Sequence, residues 1–232
     1  MTHSFSALPY FFALFSLGHA AWATATEHFL VIDANNRPVA DAVIAAKEDR
    51  PLTSFTASQN VAVMDQINRS FQPFVIDIDA GQRVSFPNSD NIRHHVYSFS
   101  PAKAFELKLY SGIPEAPLTF ADPGIVVLGC NIHDSMVGYI YVSASPHHSK
   151  SNAEGKVTLD LPKDSMEIHV WHPSFSLDGQ KQLTMSLHNL PVKTIAENQY
   201  RVIQLDSSVS APGTSTSGKN SFKSNSKFKS SQ

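Results

Sequence analysis

Apolar residues recur at alternate positions along most of the chain, with little of the three- and four-residue periodicity of a helix. In HFLVIDANNRPVADAVIAAKE two such runs flank the turn ANNRP. In FVIDIDAGQRVSFPN, Val75, Ile76 and Ile78 precede a turn at Asp79 to Gly81, and Val84 and Phe86 follow it. HHVYSFS puts His95, Tyr97 and Phe99 on one strand face and His94, Val96 and Ser98 on the other. FELKLY aligns Phe105, Leu107 and Leu109, and PLTFADPGIVVLGC and VGYIYVSA come next. Beyond Pro146, EGKVTLDLP, MEIHVWHP, QKQLTMSLHN and QYRVIQL read as further strands. Many short strands punctuated by Gly, Pro and Asn predict an all-β sandwich architecture, with no helix longer than a turn or two.

Both ends of the chain break this pattern. Residues 7–21 are mostly apolar, a run short for a membrane span, and Ala21 and Ala23 flank Trp22 in an A-x-A arrangement. Residues 1–23 are therefore expected to form a signal peptide cleaved after Ala23, which directs the protein to the periplasm. The leading MTHSFS has no Lys or Arg, so an uncleaved membrane anchor is the competing reading. In both cases the bulk of the protein lies outside the cytoplasm. Residues 207–232 are Ser-rich, with Lys219, Lys223, Lys227 and Lys229, and carry too little apolar surface to offset the entropy of ordering. A disordered basic tail is expected there. The formal net charge of −2 gives no general attraction to nucleic acid.

The chain has one cysteine, Cys130. That excludes an internal disulfide, an all-thiolate zinc site and a dicopper centre bridged by two cysteines. In GCNIHDSMVGYIYV, His133 follows the cysteine by three residues and Met136 follows His133 by three. A thiolate, an imidazole and a thioether are soft ligands, and two imidazoles with one thiolate and a weak axial thioether suit copper. A short loop between two strands can fold these side chains around one ion. The second imidazole comes from FPNSDNIRHHVYSFS. Alternation favours His95, because it shares a face with Tyr97 and Phe99, which look like core residues; His94 is then exposed or stands behind the ligand.

At these residues the chain resembles the cupredoxins, and amicyanin most in loop length. Gly124 stands six residues before the cysteine, where that family opens its last-but-one strand with glycine. Cys130, His133, Met136, Gly138, Ile140 and Val142 match the loop and the strand after it, and Gly81, Val84, Phe86 and Asn88 match the strand before the first histidine. The separation of His95 from Phe99 also fits. The resemblance covers residues 70–144 and extends to bacterial plastocyanin-like proteins labelled methylamine utilization proteins. It implies a Greek-key β-sandwich with one type 1 copper ion held by His95, Cys130 and His133, with Met136 axial. It also implies single-electron transfer between redox partners such as a periplasmic dehydrogenase or cytochrome. Four protein ligands leave no open position, so an electron carrier rather than an enzyme is expected. The chain departs from the family at Ile132 and Asp134, where a loop proline is usual, and at Val96, where an asparagine commonly steadies the cysteine loop. Asn88 and Asn131 are the candidates to replace that asparagine.

Residues 27–47 and 153–206 exceed a minimal cupredoxin. VIDANNRPVADAVI and AEGKVTLDLPKDSMEIHVWHP resemble parts of transthyretin-like or carboxypeptidase-regulatory-like β-sandwiches. Two arrangements follow: the flanks pair into one smaller sandwich with the copper unit inserted between them, or two units follow in succession. Of the other polar residues, His147 and His148 fall on a linker after Pro146, His169 and His172 have no partner at metal spacing, Trp171 packs or faces solvent, and Asp77 and Asp79 alternate as a solvated face. Two further functions fit the same composition: a copper-binding or delivery protein without an electron-transfer partner, and a structural sandwich whose ligand set is vestigial.

Overall fold

The computed structural model describes residues 23–48, 56–114 and 116–205. The expected signal peptide up to Trp22 and the expected tail lie outside them. Two strands come first, β1 (Thr24–Asp33) and β2 (Val43–Ala46). A central block follows: β3 (Ala62–Val63), β4 (Asp65–Ile67), β5 (Ser70–Gln72), β6 (Val75–Asp79), β7 (Arg83–Ser85), β8 (His94–Ser100), β9 (Lys103–Tyr110), β10 (Leu118–Thr119), β11 (Gly124–Cys130) and β12 (Val137–Ser143). The chain then forms β13 (His148–Lys150), β14 (Lys156–Pro162), β15 (Glu167–Trp171), β16 (Gln182–Ser186), β17 (Val192–Ile195) and β18 (Asn198–Leu205). The architecture is all-β. Among the described residues the only helical segments are short 3₁₀ turns at Pro173–Phe175 and Leu187–Asn189, and no helix is long and apolar enough to cross a membrane.

Strands from the two ends of the chain share sheets. β1 lies between β14 and β18 in the order β14-β1-β18-β17, and β2 lies between β13 and β15 in the order β13-β2-β15-β16. These two sheets enclose a core of Phe29, Val31, Ile44, Val157, Ile168, Val170 and Ile203. The central block forms its own five-stranded sheet, β6-β12-β11-β8-β9, with the smaller sheets β10-β7-β3 and β4-β5. Its core contains Met64, Phe71, Ile78, Val84, Phe86, Phe120, Leu128 and Ile140, with Cys130 and Met136 at one end.

Two strands whose sequences lack clean alternation join these cores. VIAA of β2 is buried at every position, and β12 is buried at every position after Val137. Each strand has apolar neighbours on both faces, which removes the need for a polar face. Ile44 faces the first core while Val43 and Ala45 face a seam; Ile140 and Val142 face the second core while Tyr139 and Tyr141 face the same seam. Trp171 is fully buried at its centre, 5.5 Å from the ring of Tyr139 and 6.0 Å from that of Tyr141. Its indole N–H donates to Gly179 O at 2.8 Å, so the seam contains an aromatic cluster without an unpaired indole donor.

A polar contact also crosses between the two halves. His148, expected on a linker, opens β13 with its ring between two carboxylates of β6: Nδ1 lies 2.9 Å from Asp77 Oδ2 and Nε2 3.1 Å from Asp79 Oδ1. Asp77 and Asp79 are half-buried by this contact, not a solvated face.

Candidate metal centre

The even three-residue steps of the cysteine loop are two successive tight turns. His133 N–H donates to Cys130 O at 3.3 Å, and Met136 N–H donates to His133 O at 2.9 Å. Each is the one-to-four hydrogen bond of a β-turn, so the chain folds back twice between β11 and β12. Cys130 ends β11 buried, His133 is half-exposed on the loop, and Met136 returns into the core that holds Cys130, with 1% of its surface accessible.

The second imidazole comes from β8, which pairs antiparallel with β11 so that Cys130 stands opposite Val96. Two residues back along the same face is His94, and the structure brings His94, not His95, to the sulfur. His94 Nδ1 lies 3.6 Å from Cys130 Sγ, and His133 Nδ1 lies 3.9 Å from it. One ligand atom from each of the three residues lies within 4.8 Å of the others. His94 is fully buried, whereas His95 points outward with Nε2 2.8 Å from Glu106 Oε1.

The strand alternates as expected, with its faces exchanged. His94, Val96, Ser98 and Ser100 face in; Tyr97 is half-buried on the outer face and Phe99 is 85% exposed. Tyr97 and Phe99 contact each other there, with centroids 5.1 Å apart. The inner face needs no aromatic from β8, because Phe86, Phe105 and Phe120 already pack together beneath it. Tyr97 has its own place: it lies over Gly129, where an added Cβ would stand 2.7 Å from the tyrosine Cζ. A shift in register between β8 and β9 turns Leu109 outward, against expectation, and puts Tyr110 inward in its place. The Tyr110 hydroxyl donates to Phe86 O at 2.7 Å and accepts from Gln66 Nε2. Burial pushes its ionisation up to about 12, so it remains a neutral donor.

Neither candidate asparagine steadies the cysteine loop with its side chain. Asn88 Nδ2 donates to Ile92 O at 2.9 Å and Tyr110 O at 2.8 Å, pinning the segment before His94. It is the backbone N–H of Asn131 that ties the cysteine loop to β8, donating to His95 O at 3.1 Å.

The donor set fits a soft metal ion. An ion bound to imidazole nitrogen and thiolate sulfur at about 2.0–2.3 Å requires a trigonal set of donors roughly 3.5–3.8 Å apart. The sulfur-to-nitrogen separations of 3.6 and 3.9 Å are close to that range. Proton counting points the same way. A thiol has one proton, so it can serve only one of the two nitrogens aimed at it. When both Nδ1 atoms are unprotonated and the sulfur is a thiolate, the three converging electron pairs are stabilised by a cation between them.

Sequence reasoning missed Asp90 altogether. In PNSDNIRHH it reads as an ordinary turn residue, yet its Oδ2 lies 2.7 Å from His94 Nε2. The available signal was its position four residues before the histidine.

No family model matches the chain, and no curated protein matches it. Several solved structures resemble part of it. A purple cupredoxin from Nitrosopumilus maritimus is 21% identical over 35% of this chain and 99% of its own, with a TM-score of 0.32. A reduced amicyanin variant is 18% identical over 44% of this chain and 99% of its own, also with a TM-score of 0.32. A copper-containing nitrite reductase from Thermus scotoductus is 21% identical over 49% of this chain and 28% of its own, with a TM-score of 0.34.

Proposed function

We propose that the chain is a cupredoxin-like protein that holds one type 1 copper ion and carries single electrons between redox proteins outside the cytoplasm. The observation that carries this reading is the convergence of His94 Nδ1, His133 Nδ1 and Cys130 Sγ at one end of a rigid β-sandwich. His94, Cys130 and His133 supply the strong donors. Met136, buried in the same core, is the axial candidate. The copper ion, when bound, supplies a one-electron couple between its cupric and cuprous states.

The protein's own part is to hold the donors still. His94 and Cys130 sit on paired strands, and the Cys130–Met136 segment is closed by two backbone turn bonds and tied to β8 through Asn131 N–H. A frame of this kind resists reorganisation when the charge at its centre changes. His133 is the ligand nearest solvent, next to Ile132, which is 46% exposed, and this edge is where a redox partner approaches. Three strong protein donors and a buried thioether leave no position for a substrate, which favours a carrier over an enzyme.

The test is absorption of the purified protein with Cu(II). An intense visible thiolate-to-copper band that disappears in Cys130→Ser supports the reading; a colourless protein, or colour independent of Cys130, ends it. Reversible voltammetry with slow loss of copper to a chelator distinguishes a carrier of electrons from a carrier of copper, which releases its ion readily.

A further inference from the structure

Both nitrogens of His94 have partners. Nδ1 faces Cys130 Sγ, and Nε2 meets the carboxylate of Asp90 at 2.7 Å. The imidazole is fully buried and the carboxylate 11% exposed, so this contact is shielded from solvent. The carboxylate is itself held from the far side. Asn68 N–H donates to its Oδ1 at 2.6 Å and Arg69 N–H to its Oδ2 at 2.9 Å. These two residues form the turn of the β4–β5 hairpin and adopt left-handed conformations, with φ of 53° and 57°. That conformation is uncommon for residues other than glycine, and here it aims consecutive N–H groups at one anion. The loop is pinned as well: Asp90 N–H donates to Asn88 Oδ1, and Ser89 bonds Asp65 through both its N–H and its hydroxyl.

The charge state follows from these contacts. Both oxygens of Asp90 already accept a backbone N–H, Oδ1 from Asn68 and Oδ2 from Arg69, an arrangement that suits a carboxylate. An ionised carboxylate only accepts hydrogen bonds, so the proton between the two side chains belongs to Nε2 of His94. In the neutral imidazole the bare lone pair is then on Nδ1, directed at the sulfur.

We propose that Asp90 is a positioning residue for the copper centre: it fixes the tautomer and ring orientation of His94 and, by placing a negative charge behind that imidazole, makes it a stronger donor and lowers the reduction potential. The proposal rests on the copper reading above. A carboxylate behind a metal-bound imidazole raises its basicity, and loss of such a partner typically weakens metal binding about 10–100-fold. A stronger donor stabilises the cupric state more than the cuprous state. His95 has no comparable arrangement, since its partner Glu106 is 55% exposed and screened by solvent.

The experiment compares the wild type with Asp90→Asn, Asp90→Ala and Asp90→Glu in the full chain. Long-range proton–nitrogen NMR of the metal-free protein reads the His94 tautomer without any copper present. The expected result is a single Nε2–H form in the wild type and a mixture of forms in Asp90→Ala. After loading with Cu(II), Asp90→Asn keeps the thiolate band and its potential by voltammetry is higher than that of the wild type. Asp90→Ala releases copper to a chelator about 10–100-fold more readily, and Asp90→Glu returns part of the way to the wild type. A wild-type protein with no thiolate band overturns the copper reading and this proposal together. A band that is present, with tautomer, potential and copper retention the same in wild type, Asp90→Asn and Asp90→Ala, overturns this proposal alone.

Discussion

The ring of Tyr97 lies over Gly129, so close that a β-carbon on that glycine would stand 2.7 Å from Cζ and 2.8 Å from the hydroxyl oxygen. Gly129 precedes Cys130 and pairs with Tyr97 across β11 and β8. Gly129→Ala must therefore move either a half-buried ring or the strand end that carries the sulfur. A destabilisation of about 1–3 kcal/mol is expected, read from the midpoint of urea unfolding. The double variant Gly129→Ala with Tyr97→Ala should recover most of that loss, because the obstacle is then absent. Equal stability of Gly129→Ala and wild type would show that the ring is free to move aside.

The histidine pair gives the sharpest spectroscopic contrast. His94 faces Cys130 Sγ at 3.6 Å, whereas His95 faces Glu106 on the outer surface. In copper-loaded protein, His94→Ala should abolish the thiolate band or move it strongly. His95→Ala should leave the band in place, because its ring lies on the face away from the sulfur. A band lost with His95→Ala and kept with His94→Ala would reverse the assignment.

That pair also shows what was legible in the sequence. The longer strands, the turn at Asp79 to Gly81 and the Cys130–His133–Met136 loop were readable, because period-two alternation and three-residue turn steps are local properties, whereas the two- to four-residue strands β3, β4, β5, β13 and β17 are too short to show a period. The face of β8 was not. Alternation divides seven residues into two sets without saying which set is buried, and taking Tyr97 and Phe99 as core chose the outer one. What puts them outside is non-local: Phe86, Phe105 and Phe120 occupy the interior, and Gly129 on the neighbouring strand makes room for Tyr97. Asp90 and His148 were missed for the same reason, since their partners at Asn68, Arg69, Asp77 and Asp79 lie on other elements.

Trp171 holds the seam between the two halves. It is fully buried, packs on Tyr139 and Tyr141, and donates to Gly179 O. Trp171→Ala should cost about 3–5 kcal/mol by opening a large cavity. Trp171→Phe keeps most of the packing and leaves one carbonyl without its donor, and about 1 kcal/mol is expected for that loss. Both follow from denaturant unfolding monitored by circular dichroism. The cores on either side are formed by separate residue sets, so the Cys130 band should persist in whichever variant remains folded. Loss of the band in a folded Trp171→Phe would show that the seam sets the geometry of the ligand loop.

The clamp around His148 makes stability depend on pH with a definite sign. Burial alone would depress the protonation of this imidazole, but the hydrogen bonds and charges of Asp77 and Asp79 outweigh it and raise its pKa above the usual 6.5. Its own strand adds Lys150, whose charge is paired with Asp41 at 2.7 Å. Because the folded-state pKa lies above the unfolded one, the folded protein binds this proton more tightly than the unfolded chain. The stabilisation is fully present below an unfolded pKa of about 6.5 and is lost as pH rises through the higher folded value. The difference in unfolding free energy between wild type and His148→Gln should therefore be largest at about pH 5.5 and shrink above about pH 6.5. Asp77→Asn with Asp79→Asn should flatten the same profile, because neither amide holds the imidazolium. The measurement is urea unfolding at several pH values, each variant compared with wild type at the same pH. A gap between wild type and His148→Gln that stays constant, or widens with rising pH, would mean that His148 is not held as the cation between its two carboxylates.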